Sequence, residues 1–216
     1  MAQLLERYQD LLLKLVLLAP VVLLLLTIAT MVWRTTSPVE AGVAVDQPIP
    51  FSHKHHVGDD GIDCRYCHTS VETSASAGMP STGICLSCHA QLFRDAPALA
   101  PLHDSARTGQ PIQWNRVYDL PDFVFFNHSI HVAKGVACVT CHGRVDQMPV
   151  LVRHEALDMQ WCLACHRDPA KHVVPLDHVT AMRTLPPISD AEREQLLRML
   201  QLEDRQRMTE CSTCHR

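Results

Sequence analysis

Cysteine and histidine carry the chemistry legible in this sequence. Five times a Cys-x-x-Cys pair is followed at once by a histidine: Cys64, Cys67 and His68; Cys85, Cys88 and His89; Cys138, Cys141 and His142; Cys162, Cys165 and His166; Cys211, Cys214 and His215. These motifs use all 10 cysteines. Two thiols at that spacing can bond to the two vinyl groups of one haem, and the adjacent histidine then binds the iron from below. A zinc ribbon needs an even set of pairs and no histidine immediately after them. A disulfide framework has no use for that histidine, and thioredoxin-like redox motifs do not come in fives. With 14 histidines in 216 residues, a chance histidine after all five pairs has odds on the order of one in a million. The reading is a cytochrome c with five covalently attached c-type haems.

The rest of the composition agrees with a cofactor-filled interior. Aromatic residues are only 5% of the chain, thin for a self-sufficient core at this length. If each haem hides on the order of 400 Å² of apolar ring, burial contributes roughly 10 kcal/mol apiece at ~25 cal/mol per Å². The formal charge is −4, and haem propionates would add to that acidity. No block of Lys and Arg is present, so nucleic acid is excluded as a partner. An acidic surface suits a basic electron-transfer partner.

The elements that must position the motifs begin with a membrane helix. Leu15 to Trp33 are 19 consecutive residues without formal charge, long enough at 1.5 Å per residue to cover ~28 Å of lipid. Lys14 can snorkel at one end, Trp33 and Arg34 sit where an interfacial anchor belongs, and Pro20 is placed to kink the span. A cleaved secretory signal has a shorter apolar core and a small-residue cleavage site, so a retained anchor is the reading preferred. Because c-type haem is attached outside the bacterial cytoplasmic membrane, the body after Arg34 is expected on the periplasmic or extracytoplasmic side.

The body repeats itself. Phe51, His53, His56 and Val57 recur as Phe126, His128, His131 and Val132 at an offset of 75, while Cys64 recurs as Cys138 at an offset of 74. Cys85 and Cys162 are 77 apart, and Met79-Pro80 is matched by Met148-Pro149. A low-spin haem needs a second axial ligand. His-x-x-His places two imidazoles on one side of a helical turn, each within reach of a different ring. His53 and His56 are therefore expected as distal ligands in the first repeat, and His128 and His131 in the second. His55 faces Ile130 in the alignment and is expected to be exposed. The fifth distal ligand stays open between Met148, Met159 and His172, with a methionine preferred. His103, His154 and His178, in polar or proline-rich stretches, are expected to be solvated. Towards the end, Pro186-Pro187 and a Ser189-x-x-Glu192 capping box predict a helix to about Arg207, with Leu196, Met199 and Leu200 on one face and Leu197 alongside. Met199 and Met208 are expected to pack rather than to ligate.

The paired histidines resemble those of the cytochrome c7 and c3 families, where each serves a separate haem. That resemblance implies a mostly irregular and α-helical, haem-packed multihaem cytochrome c (class III-like, c7/c3-type) with one N-terminal transmembrane helix. The expected organisation is a membrane anchor at 1–34 with its helix over about 11–33, and a linker at 35–48. A first dihaem module plus connector follows at 49–123, a second dihaem module at 124–185, and the terminal helix with the fifth motif at 186–216. The order of membrane helix, Phe51-Ser-His-Lys-His-His-Val57, Cys64-Arg-Tyr-Cys-His-Thr-Ser-Val-Glu72, Leu120-Pro-Asp-Phe-Val-Phe-Phe-Asn-His128 and terminal Cys211-Ser-Thr-Cys-His-Arg216 is similar to the pentahaem subunits of alternative complex III, over nearly the whole chain. The resemblance implies an electron-transfer subunit, not itself catalytic, in a respiratory membrane assembly that oxidises quinol. Its implied partners are a molybdopterin-oxidoreductase-like iron–sulfur subunit, polytopic quinol-site subunits, a monohaem cytochrome c and a terminal oxidase. Two other classes compete: a stand-alone membrane-anchored quinol dehydrogenase, and a multihaem reductase with one open haem.

Overall fold

The protein is described by a computed structural model covering residues 2–36, 41–183, 188–202 and 204–215. The chain divides into two compact units, Met1–Glu40 and Ala41–Arg216. The first is a single helix, α1 (Ala2–Thr36), with Pro20 inside it. It begins earlier than residue 11 because the preceding turns hold Gln, Leu, Glu and Arg, all good helix formers. Within it Tyr8–Val32 form a 25-residue span whose 18-residue apolar window has a mean hydropathy of 2.8 and no burial, the length and composition of a membrane span. Pro186 and Pro187, and the side chains of Trp33 and Arg34, lie outside the described residues.

The second unit is built from short helices joined by irregular chain. In order these are α2 (Cys64–Cys67), α3 (Thr82–His89), α4 (Ala100–Thr108), α5 (His128–Ala133), α6 (Cys138–His142), α7 (Met159–Arg167), α8 (Asp190–Met199), α9 (Arg205–Met208) and α10 (Cys211–Cys214). A π-helical turn, Lys54–Asp59, precedes α2. Among the described residues there is no strand; extended segments meet only at isolated bridges such as Val136 with Val173 and Val124 with His215. Residues 41–48 were expected as linker but are tied down. Gly42 N donates to the Arg153 carbonyl at 2.7 Å, and Gln47 Nε2 donates to the Asn115 carbonyl at 2.7 Å.

The apolar core of side chains is small. Val173, Leu196, Leu200 and Leu202 form a buried cluster, with Val136, Ile188, Leu197 and Met208 packed against it. Ser189 and Glu192 form the expected capping box at the start of α8. The helix ends at Met199 rather than near Arg207, because the backbone turns left-handed at Gln201 (φ 53°). That turn lets Leu200 and Leu202 both enter the core. Met199 does not pack; it is 69% exposed.

Candidate haem-binding sites

Each Cys-x-x-Cys pair sits on one helical turn: on α2, at the C-terminal ends of α3 and α7, on α6 and on α10. Residues i and i+3 share a helix face, so both thiols of a pair point to one side. Local capping fixes where two of these turns start. The Asp63 carboxylate accepts from Arg65 N before α2, and Asp158 Oδ1 accepts from Trp161 N at 2.8 Å before α7.

Ten of the histidines separate into two groups by what their rings meet. His68 Nδ1 bonds the Gly78 carbonyl at 2.9 Å, His89 Nδ1 the Leu92 carbonyl at 3.0 Å, His166 Nδ1 the Met208 carbonyl at 2.7 Å and His215 Nδ1 the Phe123 carbonyl at 3.1 Å. Upstream, His56 Nδ1 bonds the Ser52 carbonyl at 2.9 Å, His128 Nδ1 the Ala75 carbonyl at 2.9 Å and His131 Nδ1 the Asn127 carbonyl at 2.7 Å. A carbonyl can only accept, so each of these Nδ1 atoms carries the proton and leaves the Nε2 lone pair available to a metal. The other group faces carboxylates. His55 lies 3.6 Å from Asp60, with its side chain 54% exposed; His154 lies 3.5 Å from Glu155, and His178 lies 3.9 Å from Asp177.

Rings of the first group come in pairs, one of them completed by His142. The ring centres of His56 and His89 are 6.1 Å apart, those of His128 and His142 6.3 Å, and those of His131 and His166 6.2 Å. Two metal–nitrogen bonds of about 2 Å each, plus about 1 Å from each nitrogen to its ring centre, add to roughly 6 Å. The separations suit two imidazoles on opposite sides of one iron. His53 lies close enough to His68, and to His142, for their charges to interact. Burial lowers the His53 pKa to about 4, with His68 and His56 adding to the effect. Burial likewise lowers His142 to about 4, helped by His128, His68 and His53. Burial also lowers His131, against the opposing bond to the Asn127 carbonyl. Buried, neutral imidazoles are the ligating form.

The cysteines of the motifs stand here as thiols in the places that thioethers would take. Burial raises the Cys67, Cys85, Cys162 and Cys165 thiols, and raises Cys141 to about 12. Among the described residues no group of three or more His, Cys, Asp or Glu is arranged to hold a metal ion. The fit to a flat apolar group is better. Phe93 and Phe123 are 68% and 63% exposed, and their rings lie 6.4 Å from His89 and 5.8 Å from His215. His53 and His103 each keep one buried ring nitrogen without a hydrogen-bond partner, the condition of an imidazole shaped around a group beyond the chain. For His103 this corrects the expectation that it is solvated. Its place in a polar, proline-flanked stretch hid the packing of α4 against α3. Tyr118 also escaped sequence reading. Its ring meets His142 edge-on at 4.4 Å and its hydroxyl accepts from His154 N at 3.0 Å.

The three candidates for a fifth distal ligand sit in different settings. Met148 is half-buried, and its carbonyl accepts from Lys54 N at 3.0 Å. Met159 opens α7 and is 65% exposed. His172 is half-buried in the turn after Pro169–Lys171.

Residues 124–216 match the family of cytochrome c7 and related cytochrome c. The second repeat and the chain beyond it therefore form a c7-type multihaem cytochrome domain, and its cofactors are c-type haems. The chain is also similar to the "Menaquinone reductase, multiheme cytochrome c subunit" of Nitratidesulfovibrio vulgaris, 34% identical over 126 residues. That alignment covers 58% of this chain and 53% of the relative, so the chain spans about half the length of the curated relative it matches.

Proposed function

We propose that the chain is a pentahaem electron relay, anchored by α1 in the bacterial cytoplasmic membrane with its haem unit outside, in a quinone-linked oxidoreductase of the alternative complex III kind. The observation that carries this is the set of paired imidazoles about 6 Å apart, five of the six with Nδ1 bonded to a carbonyl. His68, His89, His142, His166 and His215 serve as proximal ligands. His53, His56, His128 and His131 serve as the distal ligands opposite the first, second, third and fourth of these, and Met148, Met159 or His172 completes the fifth. Bound c-type haems supply one-electron carriers. The chain's own residues hold the rings, exclude water, and through the carbonyl bonds fix the tautomer and basicity of seven of these histidines. Nothing in this arrangement demands that the chain itself bind quinol. The proposed partners are an iron–sulfur molybdopterin-oxidoreductase-like subunit, polytopic quinol-site subunits and a monohaem cytochrome c, with a terminal oxidase as acceptor.

The name of the Nitratidesulfovibrio relative favours a second direction of flow, from the haems into menaquinone. Purifying the assembly from native membranes in mild detergent separates these readings. Iron–sulfur and polytopic subunits are expected to co-purify, and added quinol is expected to reduce the haems. Haems that stay oxidised with quinol, yet when reduced are reoxidised by a menaquinone analogue, would favour the second direction. A chain that comes away alone and still takes electrons from quinol would make it a stand-alone dehydrogenase.

A further inference from the structure

We propose that the five motifs stand in space in the order second, first, third, fourth, fifth, so that the file of haems is folded back on the sequence and its open ends are motifs two and five. The inference rests on the five-haem reading above and goes beyond it by ordering the sites. Electron tunnelling falls steeply with distance, so spatial neighbours exchange electrons whatever their order in the chain.

Four joints set the order. Motif one touches motif two through the Tyr66 hydroxyl, which hydrogen-bonds Ser87 Oγ at 2.9 Å. The same two motifs share a helical turn of upstream histidines, since His56 faces His89 and His53, three residues earlier on that turn, is within electrostatic range of His68. Motif one meets motif three where Cys64 and Cys138 lie close enough for their thiols to interact. Hydrogen bonds beside it hold that joint independently of the thiols. Asp63 Oδ2 accepts from Thr180 Oγ1 at 3.1 Å, and the adjacent Val179 carbonyl accepts from Cys138 N at 2.9 Å. The Ala75 carbonyl, just past motif one, also holds both the backbone N and Nδ1 of His128, the histidine that faces motif three.

Motifs three and four share α5, whose His128 and His131 face His142 and His166. Motif four meets motif five where His166 Nδ1 donates to the Met208 carbonyl at 2.7 Å, three residues before Cys211. A file in sequence order would need motif two against motif three. Instead α4, in the connector between them, packs on motif two's own helix, with Thr82 Oγ1 bonded to Ser105 Oγ at 2.6 Å. Exposure follows the same order. Cys88 of motif two and Cys211 of motif five are exposed, and the other motif cysteines are half-buried.

The test is the iron map of the full-length holoprotein, from anomalous scattering or electron cryo-microscopy, with each iron traced to its motif. Nearest neighbours are expected as two–one, one–three, three–four and four–five; an iron of motif two nearest that of motif three overturns the order. Fewer than five irons would break the five-haem reading while leaving the order of the rest readable. In solution, His56→Met and His53→Met label motifs two and one with a His/Met optical and paramagnetic signature. The label on motif two is expected to couple magnetically to one neighbour and the label on motif one to two; the reverse overturns the order. A variant without the His/Met signature would break the ligand assignment instead, and the iron map would still decide the order.

Discussion

The two repeats hold their histidines in nearly the same way on different backbones. Phe51 meets His53 edge-on at 4.9 Å and 87°, and Phe126 meets His128 at 4.7 Å and 88°. Phe51 lies over His56 at 4.4 Å, and Phe126 over His131 at 4.5 Å. Ser52 Oγ accepts from His55 N as Asn127 Oδ1 accepts from Ile130 N. Yet the first repeat is a π-helical turn and the second an α-helix. The cause is the change of offset from 75 to 74 between His56 and Cys64. The first repeat has one extra residue there, and Asp60 N reaches back five residues to the His55 carbonyl, whereas Lys134 N reaches back four to the Ile130 carbonyl. A π-turn is how a helix absorbs a single inserted residue. The difference teaches that the Phe–His–His geometry, rather than the helix type, is what the two regions share.

The largest break in that likeness should come from the ligands. His53→Ala and His128→Ala are each expected to leave one haem five-coordinate, seen as a new high-spin ferric signal in optical and paramagnetic resonance spectra. His55→Ile, which makes the first repeat read like the second, is expected to leave the spectra unchanged. A high-spin signal from His55→Ile, or none from the other two, would overturn the division between the candidate ligands and the carboxylate-facing surface histidines.

The next effect sits at equivalent glycines. Gly61 and Gly135 both take positive φ, at 70° and 71°. A Cβ on Gly61 meets nothing within 4 Å, whereas on Gly135 it would lie 2.6 Å from the Val174 carbonyl and 3.0 Å from Leu200 Cδ1. Gly61→Ala then costs left-handed strain alone, about 1 kcal/mol. Gly135→Ala adds a backbone clash beside the Leu200 core and is expected to cost about 3 kcal/mol or more. Thermal unfolding of the two holoproteins reads the difference; equal losses would place the strain in φ alone.

Sequence made the candidate ligands legible because their spacing is local. Cys-x-x-Cys-His and His-x-x-His declare themselves within five residues, and the Ser189–Glu192 capping box is equally self-contained. The one-residue change in offset was visible too, but not that a π-turn would absorb it, since the turn packs against Val145–Gln147 from the second repeat. Gly58 there is so close that a Cβ would run into the Asp146 carbonyl. The early end of α8, the burial of His103 and the contact of Tyr118 with His142 likewise depend on partners tens of residues away. Periodicity carries no record of such partners.

The smallest effect concerns the residue before each first cysteine, Asp63 in one repeat and Ala137 in the other. Asp63 caps α2, and the hydrogen bond from the Arg65 side chain, aided by Arg65 N and Thr180, lowers its carboxyl to about 2 despite partial burial. Ala137 has no side-chain cap to offer and is instead buried, at 5% exposure. Asp63→Ala makes the first repeat like the second without the burial that compensates Ala137, and is expected to cost about 1 kcal/mol, mainly through the lost cap. The Asp63–Arg65 ion pair, with side chains 42% and 50% exposed, adds little because solvent screens it. The pH dependence identifies the carboxylate as the cause. A pKa lowered on folding stabilises fully above the ordinary carboxylate range and is lost as pH falls through about 2. The stability gap between wild type and Asp63→Ala should therefore be constant from neutral pH to about 5 and close towards pH 2. A gap that persists at pH 2 would instead place the effect in the packing of Asp63 against Thr180, at the joint between the first and third motifs.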